Sequence, residues 1–274
     1  MTLKAKSIPK KNGLTIPGAE PSARLDAWWW LVAGVVALVV LLIVGTPDPY
    51  GRIVRFVSDG ITVTISITFV SFFITLLVGL LGGLGRISKN RYINGATSLY
   101  VEVIRGIPLM VQLMWWYFAF PEVIQGVGRS MEIETLATYR ANPYAMAVIG
   151  LVICYGAYMS EIYRAGIQSI PKGQMEAARS MGMSYLQGMR YVIIPQAVRV
   201  ILPPVGNEFV ALLKDSSLVS VVAVSDLTRR GREFSAMTYD PVPTWIMVAL
   251  LYLVLTLVAA RVVTLIEKKT TFER

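Results

Sequence analysis

The sequence predicts an all-α, polytopic membrane protein with about six transmembrane helices. Three observations carry that prediction. The 274 residues are 55% hydrophobic and only 16% charged, whereas soluble domains run about 45–50% apolar and about 25% charged. Four uncharged runs, 27–47, 60–85, 141–160 and 241–260, reach the roughly 20 residues that a helix needs to cross the hydrocarbon. The excess of 26 Lys and Arg over 17 Asp and Glu is distributed as a membrane protein distributes it, mostly on alternate loops.

Residues 1–26 are polar and basic, with Pro9, Pro17 and Pro21 among Lys and Gly. They read as a flexible cytoplasmic tail. The run 27–47 opens with Trp28-Trp29-Trp30 and is long enough to span, so it reads as an uncleaved first helix with an interfacial tryptophan belt. Next comes 60–85. A third stretch, 97–120, is apolar but carries Glu102 and Arg105, and 200–224 is apolar but carries Glu208, Lys214 and Asp215. These two are expected to face protein or water, because a charge in hydrocarbon costs several kcal/mol. With 141–160 and 241–260 they make six spans. With both termini inside, 17 Lys and Arg fall on inner segments and seven on outer ones, while Arg105 and Lys214 lie within helices. The outer set includes the awkward cluster Arg229, Arg230 and Arg232.

Composition also excludes chemistry. There is no His and a single Cys, Cys154, so a conventional zinc site, an internal disulfide and histidine acid–base catalysis are out of reach. No G-x-x-x-x-G-K-[ST] loop is present, so the chain is not expected to hold a nucleotide through one. The net charge of +9 is read as basic loops beside a membrane and not as a nucleic-acid footprint.

Between the third and fourth uncharged runs, residues 161–200 form a polar island. Pro171-Lys172-Gly173 breaks the chain, and two short helices with a turn at Gly182 are predicted over 174–191. The Met-rich apolar side of this segment fits either a headgroup surface or a groove on a partner.

Within the island, "EAARSMGMSYLQGMRYVIIP" resembles the EAA loop of permease subunits of ATP-binding-cassette (ABC) importers. Glu176, Ala177, Ala178, Gly182 and Pro195 stand at the pattern's positions, and Ile194 replaces its usual Leu. "YVEVIRGIPLMVQL", "YGAYMSEIYRAGI" and "IIPQAVRVILPPVGNEFVALLKDSSLVS" are similar to the polar amino acid branch of these importers, over roughly residues 53–267. The resemblance implies a type I importer permease fold, with 27–47 as an additional N-terminal helix and an EAA coupling loop at about 171–195. It implies no enzymatic activity in this chain, with ATP and Mg bound by a partner. The implied partners are two ATPase subunits, a second permease chain (identical or paralogous), an extracytoplasmic solute-binding protein and a polar amino acid. Glu176, Ala177, Ala178 and Gly182 are the implied ATPase-coupling residues: the alanines permit close approach, Glu176 can pair with a basic residue, and Gly182 permits the turn.

Polar residues within the spans are candidates for the substrate path. Asn207 and Lys214 are seven residues apart and share a helix face, and Glu208 and Asp215 form a neighbouring line. Pro203-Pro204 is expected to kink that helix. Asn207 and Glu208 suit a substrate ammonium, and Lys214 or the Ser216 and Ser217 hydroxyls a carboxylate. Gate or packing ion pairs are the other reading of Lys214 and Asp215. Gln112, above Gly106 and Pro108, is a cavity-lining candidate. Glu102 with Arg105, and Glu161 with Arg164, are i, i+3 pairs expected to fix helix ends. The alternative for the whole chain is an ion-coupled secondary carrier using Glu208, Asp215 and Lys214.

Overall fold

The structure is a computed structural model that describes residues 27–270; the expected tail, 1–26, lies outside them. Twelve α-helices are described, and no strand occurs among these residues. They are α1 (Ala27–Gly45), α2 (Arg52–Ile87), α3 (Arg91–Gly106), α4 (Leu109–Met114), α5 (Phe120–Ser130), α6 (Glu134–Ala137), α7 (Pro143–Gln168), α8 (Lys172–Ser180), α9 (Tyr185–Gly188), α10 (Ile194–Asp215), α11 (Leu227–Thr238) and α12 (Pro241–Thr270). Four helices, α1, α2, α7 and α12, are long and apolar enough to cross a membrane. The expected third span, 97–120, is not one straight helix. It is α3 followed by the α4–α5 rod, bent by 104°, because Ile107 is extended and Pro108 restarts the helix. Counting that pair as one gives five. The sixth expected span is α10, whose 22 residues reach about 33 Å but carry charge. It begins at Ile194 and not at 200, and residues Ser216–Val222 continue as a 3-10 helix.

α2 and α7 form the centre. They meet through small residues: a Cβ on Gly82 would lie 2.1 Å from the Ser160 hydroxyl, and one on Gly79 2.5 Å from the Met159 side chain. The core beside them joins Ile67, Leu113, Leu151, Leu212, Val219 and Val222, so α2, α4, α7 and the end of α10 share one apolar interior. A second cluster joins Ile53 and Val57 of α2 to Leu227, Phe234 and Met247. α1 lies against α12, with Val32 and Val39 buried and most of its side chains exposed, as suits a helix facing lipid.

α2 fixes the two ends of the bundle. Its 36 residues extend about 54 Å. At its C-terminal end Arg86 pairs with Glu161 at 2.5 Å and Glu102 at 3.7 Å. The expected Glu161–Arg164 pair is present, with a 3.0 Å hydrogen bond from Arg164 Nε. The expected Glu102–Arg105 pair is not formed: Glu102 turns to Arg86, and Arg105 lies over the Tyr158 ring at 5.0 Å. At the opposite end of α2, Asp59 pairs with Arg230, and Arg229 and Arg230 both bond Glu233. The basic cluster that was awkward for an outer loop is therefore largely neutralised in place.

Two wide turns bend the helical rods next to a proline. Ile194 N–H donates to the Met189 carbonyl, and Phe120 N–H to the Trp115 carbonyl, each five residues back. Pro195 and Pro121 follow directly. A proline lacks the N–H for its own i−4 bond and its ring crowds that carbonyl, so widening the turn just before it relieves both problems. α10 itself runs as one helix through Pro203 and Pro204, the pair expected to kink it.

Candidate functional site

Two sites stand out: an exposed helical hairpin at one end of the bundle, and a polar cavity within it.

The hairpin is α8 and α9. α8 ends because Gly182 adopts φ +84°, a backbone state open to glycine and costly to other residues. The Gly182 N–H bonds the Arg179 carbonyl at 2.9 Å and the Met183 N–H the Ala178 carbonyl at 3.1 Å, which is the Schellman pattern of a helix end. α9 then starts on a capping box in which Ser184 and Gln187 bond each other's backbone N–H. The turn predicted at Gly182 and the two short helices are thus present, although the first begins at Lys172 and the second runs on through the wide turn into α10. Glu176 and Ala177 are exposed, as are Met181, Tyr185 and Leu186. Ala178 differs from its expectation: it is 3% exposed, turned toward Gly188 on α9. Its small size serves the hairpin's own packing and not an outside surface. Gln196 reaches from α10 to Gln174 at 3.2 Å, which ties the hairpin to the rod behind it.

The cavity measures about 430 Å³ and opens where the end of α3, the middle of α7 and the last turns of α10 converge. That is a size suited to a small molecule. Glu208, Ala211 and Asp215 line it from α10, Tyr155 and Tyr158 from α7, and Arg105 through Leu109 from the α3–α4 break. The i, i+3, i+7 spacing puts the two carboxylates on one face with a small residue between them. Arg105 is stacked on Tyr158 and makes no salt bridge among the described residues. Glu208 is half-buried and has no hydrogen bond or salt bridge among them. Asp215 accepts a 2.7 Å hydrogen bond from the Tyr155 hydroxyl. The cavity is therefore lined by a cation from α3 and by a carboxylate from α10 that makes no hydrogen bond among the described residues.

The other sequence candidates lie elsewhere. Asn207 and Lys214 share a face, as their spacing requires, but that face is exposed and does not line the cavity. Ser216 is fully buried and spends its hydroxyl on the Leu213 carbonyl at 2.8 Å; Ser217 is half-buried outside the cavity wall. Gln112 is 5% exposed and spans the α3–α4 break, its Nε2 donating to the carbonyls of Ile104 at 2.9 Å and Ile107 at 2.8 Å. It does not line this cavity, but it does line a second one of about 360 Å³ with Ile104, Ile107, Val111, Trp115 and Trp116. Arg105, Tyr155 and Tyr158 were missed as cavity residues. The available signal was two tyrosines at i, i+3 in a small-residue run one turn before Glu161.

Residues 75–272 match the family model described as binding-protein-dependent transport system inner membrane component. The glutamine transport system permease protein GlnP of Escherichia coli (strain K12) is 36% identical over 211 residues, covering 77% of this chain and 91% of that protein. The L-cystine transport system permease protein TcyB of Bacillus subtilis (strain 168) is 35% identical over 233 residues, covering 83% and 94%. Among solved structures, a crystal structure of an amino acid ABC transporter with histidines superposes with a TM-score of 0.70 at 37% identity, over 80% of this chain and 95% of that one. An inward-facing MetNI methionine ABC transporter shares the fold at 22% identity and a TM-score of 0.65. The chain belongs to the binding-protein-dependent transport system inner membrane components, the membrane-spanning permease subunits of ABC importers.

Proposed function

We propose that this chain carries polar amino acids across the inner membrane, driven by ATP hydrolysed on separate subunits. The observation that supports this most is that Arg105 and Glu208 line the same 430 Å³ cavity. An α-amino acid offers a carboxylate and an ammonium a few ångströms apart. Arg105, 5.0 Å from the centre of the Tyr158 ring, suits the carboxylate, since a guanidinium binds that group through two parallel N–H donors. Glu208 suits the ammonium. Each charge is costly in a dry cavity when alone and is compensated as cargo passes.

In this reading α8 and α9 dock on an ATPase through Glu176, Ala177 and the apolar tips of Met181, Tyr185 and Leu186, and Gly182 holds the turn between them. Two such ATPases bind the nucleotide and Mg, and this chain binds neither. A second permease chain, identical or paralogous, covers the exposed Asn207 and Lys214 face of α10. A solute-binding protein delivers cargo at the end bearing α11, and both termini lie on the ATPase side.

The test is uptake into proteoliposomes holding this chain, its second permease chain and its ATPase, with the solute-binding protein outside. Radiolabelled glutamine, lysine and glutamate are supplied with and without internal ATP. Accumulation of at least one amino acid only with ATP supports the reading. Accumulation driven by a proton or sodium gradient without ATP favours the ion-coupled carrier.

A further inference from the structure

We propose that Tyr155 determines the charge preference of the cavity by withdrawing Asp215 from the cargo. The inference rests on the amino acid reading above and adds to it a residue that sets selectivity.

Tyr155 is 5% exposed, and its ring belongs to the apolar core with Leu151 and Leu212. Only its tip reaches the cavity, where the hydroxyl meets Asp215 Oδ2 at 2.7 Å. A packed ring holds its hydroxyl in one place, so this contact is built into the wall and does not depend on a mobile side chain. Asp215 makes no salt bridge among the described residues. Lys214, its chain neighbour, points to the exposed face. Arg105, from the end of α3, is the cation of the cavity lining. Glu208 stands on the same face as Asp215, seven residues away, about 10 Å along the axis, with Ala211 between them.

The charges then sort by availability. Arg105 and Glu208 are each free of protein hydrogen-bonded ion pairing and match the two charges that every α-amino acid carries. Asp215 would be a second anion about 10 Å along the helix from Glu208, placed to receive a cationic side chain. The Tyr155 hydroxyl already occupies one oxygen of that carboxylate. Deleting the hydroxyl leaves Asp215 a charge in search of a donor, and a lysine ammonium is such a donor.

The experiment measures equilibrium binding of L-lysine, L-glutamine and L-glutamate to the purified complex of permease chains and ATPases, without the solute-binding protein, so that only the cavity is read. Tyr155→Phe removes one oxygen and keeps the ring. Its ratio of lysine to glutamine affinity should rise about tenfold over wild type, the order of one charge-assisted hydrogen bond. Asp215→Asn alone should leave the ratio at or below the wild-type value, and the double variant Tyr155→Phe/Asp215→Asn should lose the gain. A ratio within twofold of wild type in Tyr155→Phe overturns the proposal, as does a gain that survives in the double variant. Failure of Tyr155→Phe to assemble with the ATPase also overturns it, since the hydroxyl would then be a folding contact. A wild-type complex that binds none of the three contradicts the amino acid reading itself, a result distinct from an unchanged ratio.

Discussion

Gln112 is joined to Ile107 across the bend between α3 and α4: its side-chain Nε2 donates to the Ile107 carbonyl at 2.8 Å. The same nitrogen reaches the Ile104 carbonyl at 2.9 Å. Pro108 has no N–H to give, so without Gln112 the Ile107 carbonyl would lose its side-chain donor and the Ile104 carbonyl would keep only the 3.3 Å bond from the Ile107 N–H. The bend places Gly106 through Leu109 in the cavity wall, and the amide holds it there. Gln112→Glu keeps the shape but presents only acceptors, and Gln112→Leu removes both donors. Each is expected to cost about 1–3 kcal/mol and to reduce uptake, read as thermal unfolding of the purified complex alongside ATP-driven transport. Tolerance of Glu at this position would remove the bracing role.

The junction of α2 and α7 predicts a size effect with a rescue. Gly82→Ala would put a methyl 2.1 Å from the Ser160 hydroxyl, and overpacking of this kind costs about 1–3 kcal/mol. Ser160→Gly in the same chain makes room. Thermal unfolding should show the single variant destabilised and the double variant largely restored. An unaffected single variant would mean the two helices separate easily.

The hairpin predicts a separation between assembly and insertion. Gly182→Ala meets no neighbour but forces φ +84° on a residue with a Cβ, at about 1–2 kcal/mol. Ala177→Arg adds charge and bulk to an exposed position. Both are expected to insert normally and to lower co-purification of the ATPase, the arginine more severely. Ala178→Arg is a poorer probe, because Ala178 is inside the hairpin. Full ATPase recovery with Ala177→Arg would displace the docking surface from this face.

Opposite ends of the bundle should be reached from opposite sides. A cysteine at Gly126, where a side chain meets nothing within 4 Å, is expected to react with an impermeant maleimide in intact cells. One at Gly173, exposed in α8, is expected to react only after permeabilisation. The native Cys154 is 4% exposed and stays silent in both. Labelling of both sites from outside would contradict the topology.

Much of this fold can be read from the chain because hydrocarbon demands long uncharged runs: 60–85 and 241–260 each lie within a helix of the bundle, and 141–160 does so from Pro143 onward. Gly182 was legible for a similar reason, since few residues besides glycine end a helix that way. The bend at Pro108 was less legible, because composition over 97–120 averages across it. What could not be read was the side of α10 that meets the cavity. Spacing groups Asn207 with Lys214 and Glu208 with Asp215, but only packing against α7 decides which pair turns inward. Arg105 escaped for the same reason. Three residues from Glu102, it had an obvious local partner, and the structure gives that partner to Arg86 from another helix.

Glu208→Gln asks directly whether cargo passes between Arg105 and Glu208. The substitution keeps the shape and removes the charge that shares the cavity with Arg105. In proteoliposomes with the ATPase and solute-binding protein, this variant is expected to assemble fully and to lose at least tenfold in ATP-driven amino acid uptake, about 1.4 kcal/mol of cargo interaction. Full assembly with wild-type uptake rates and unchanged preference among lysine, glutamine and glutamate would mean that cargo does not pass between these two residues.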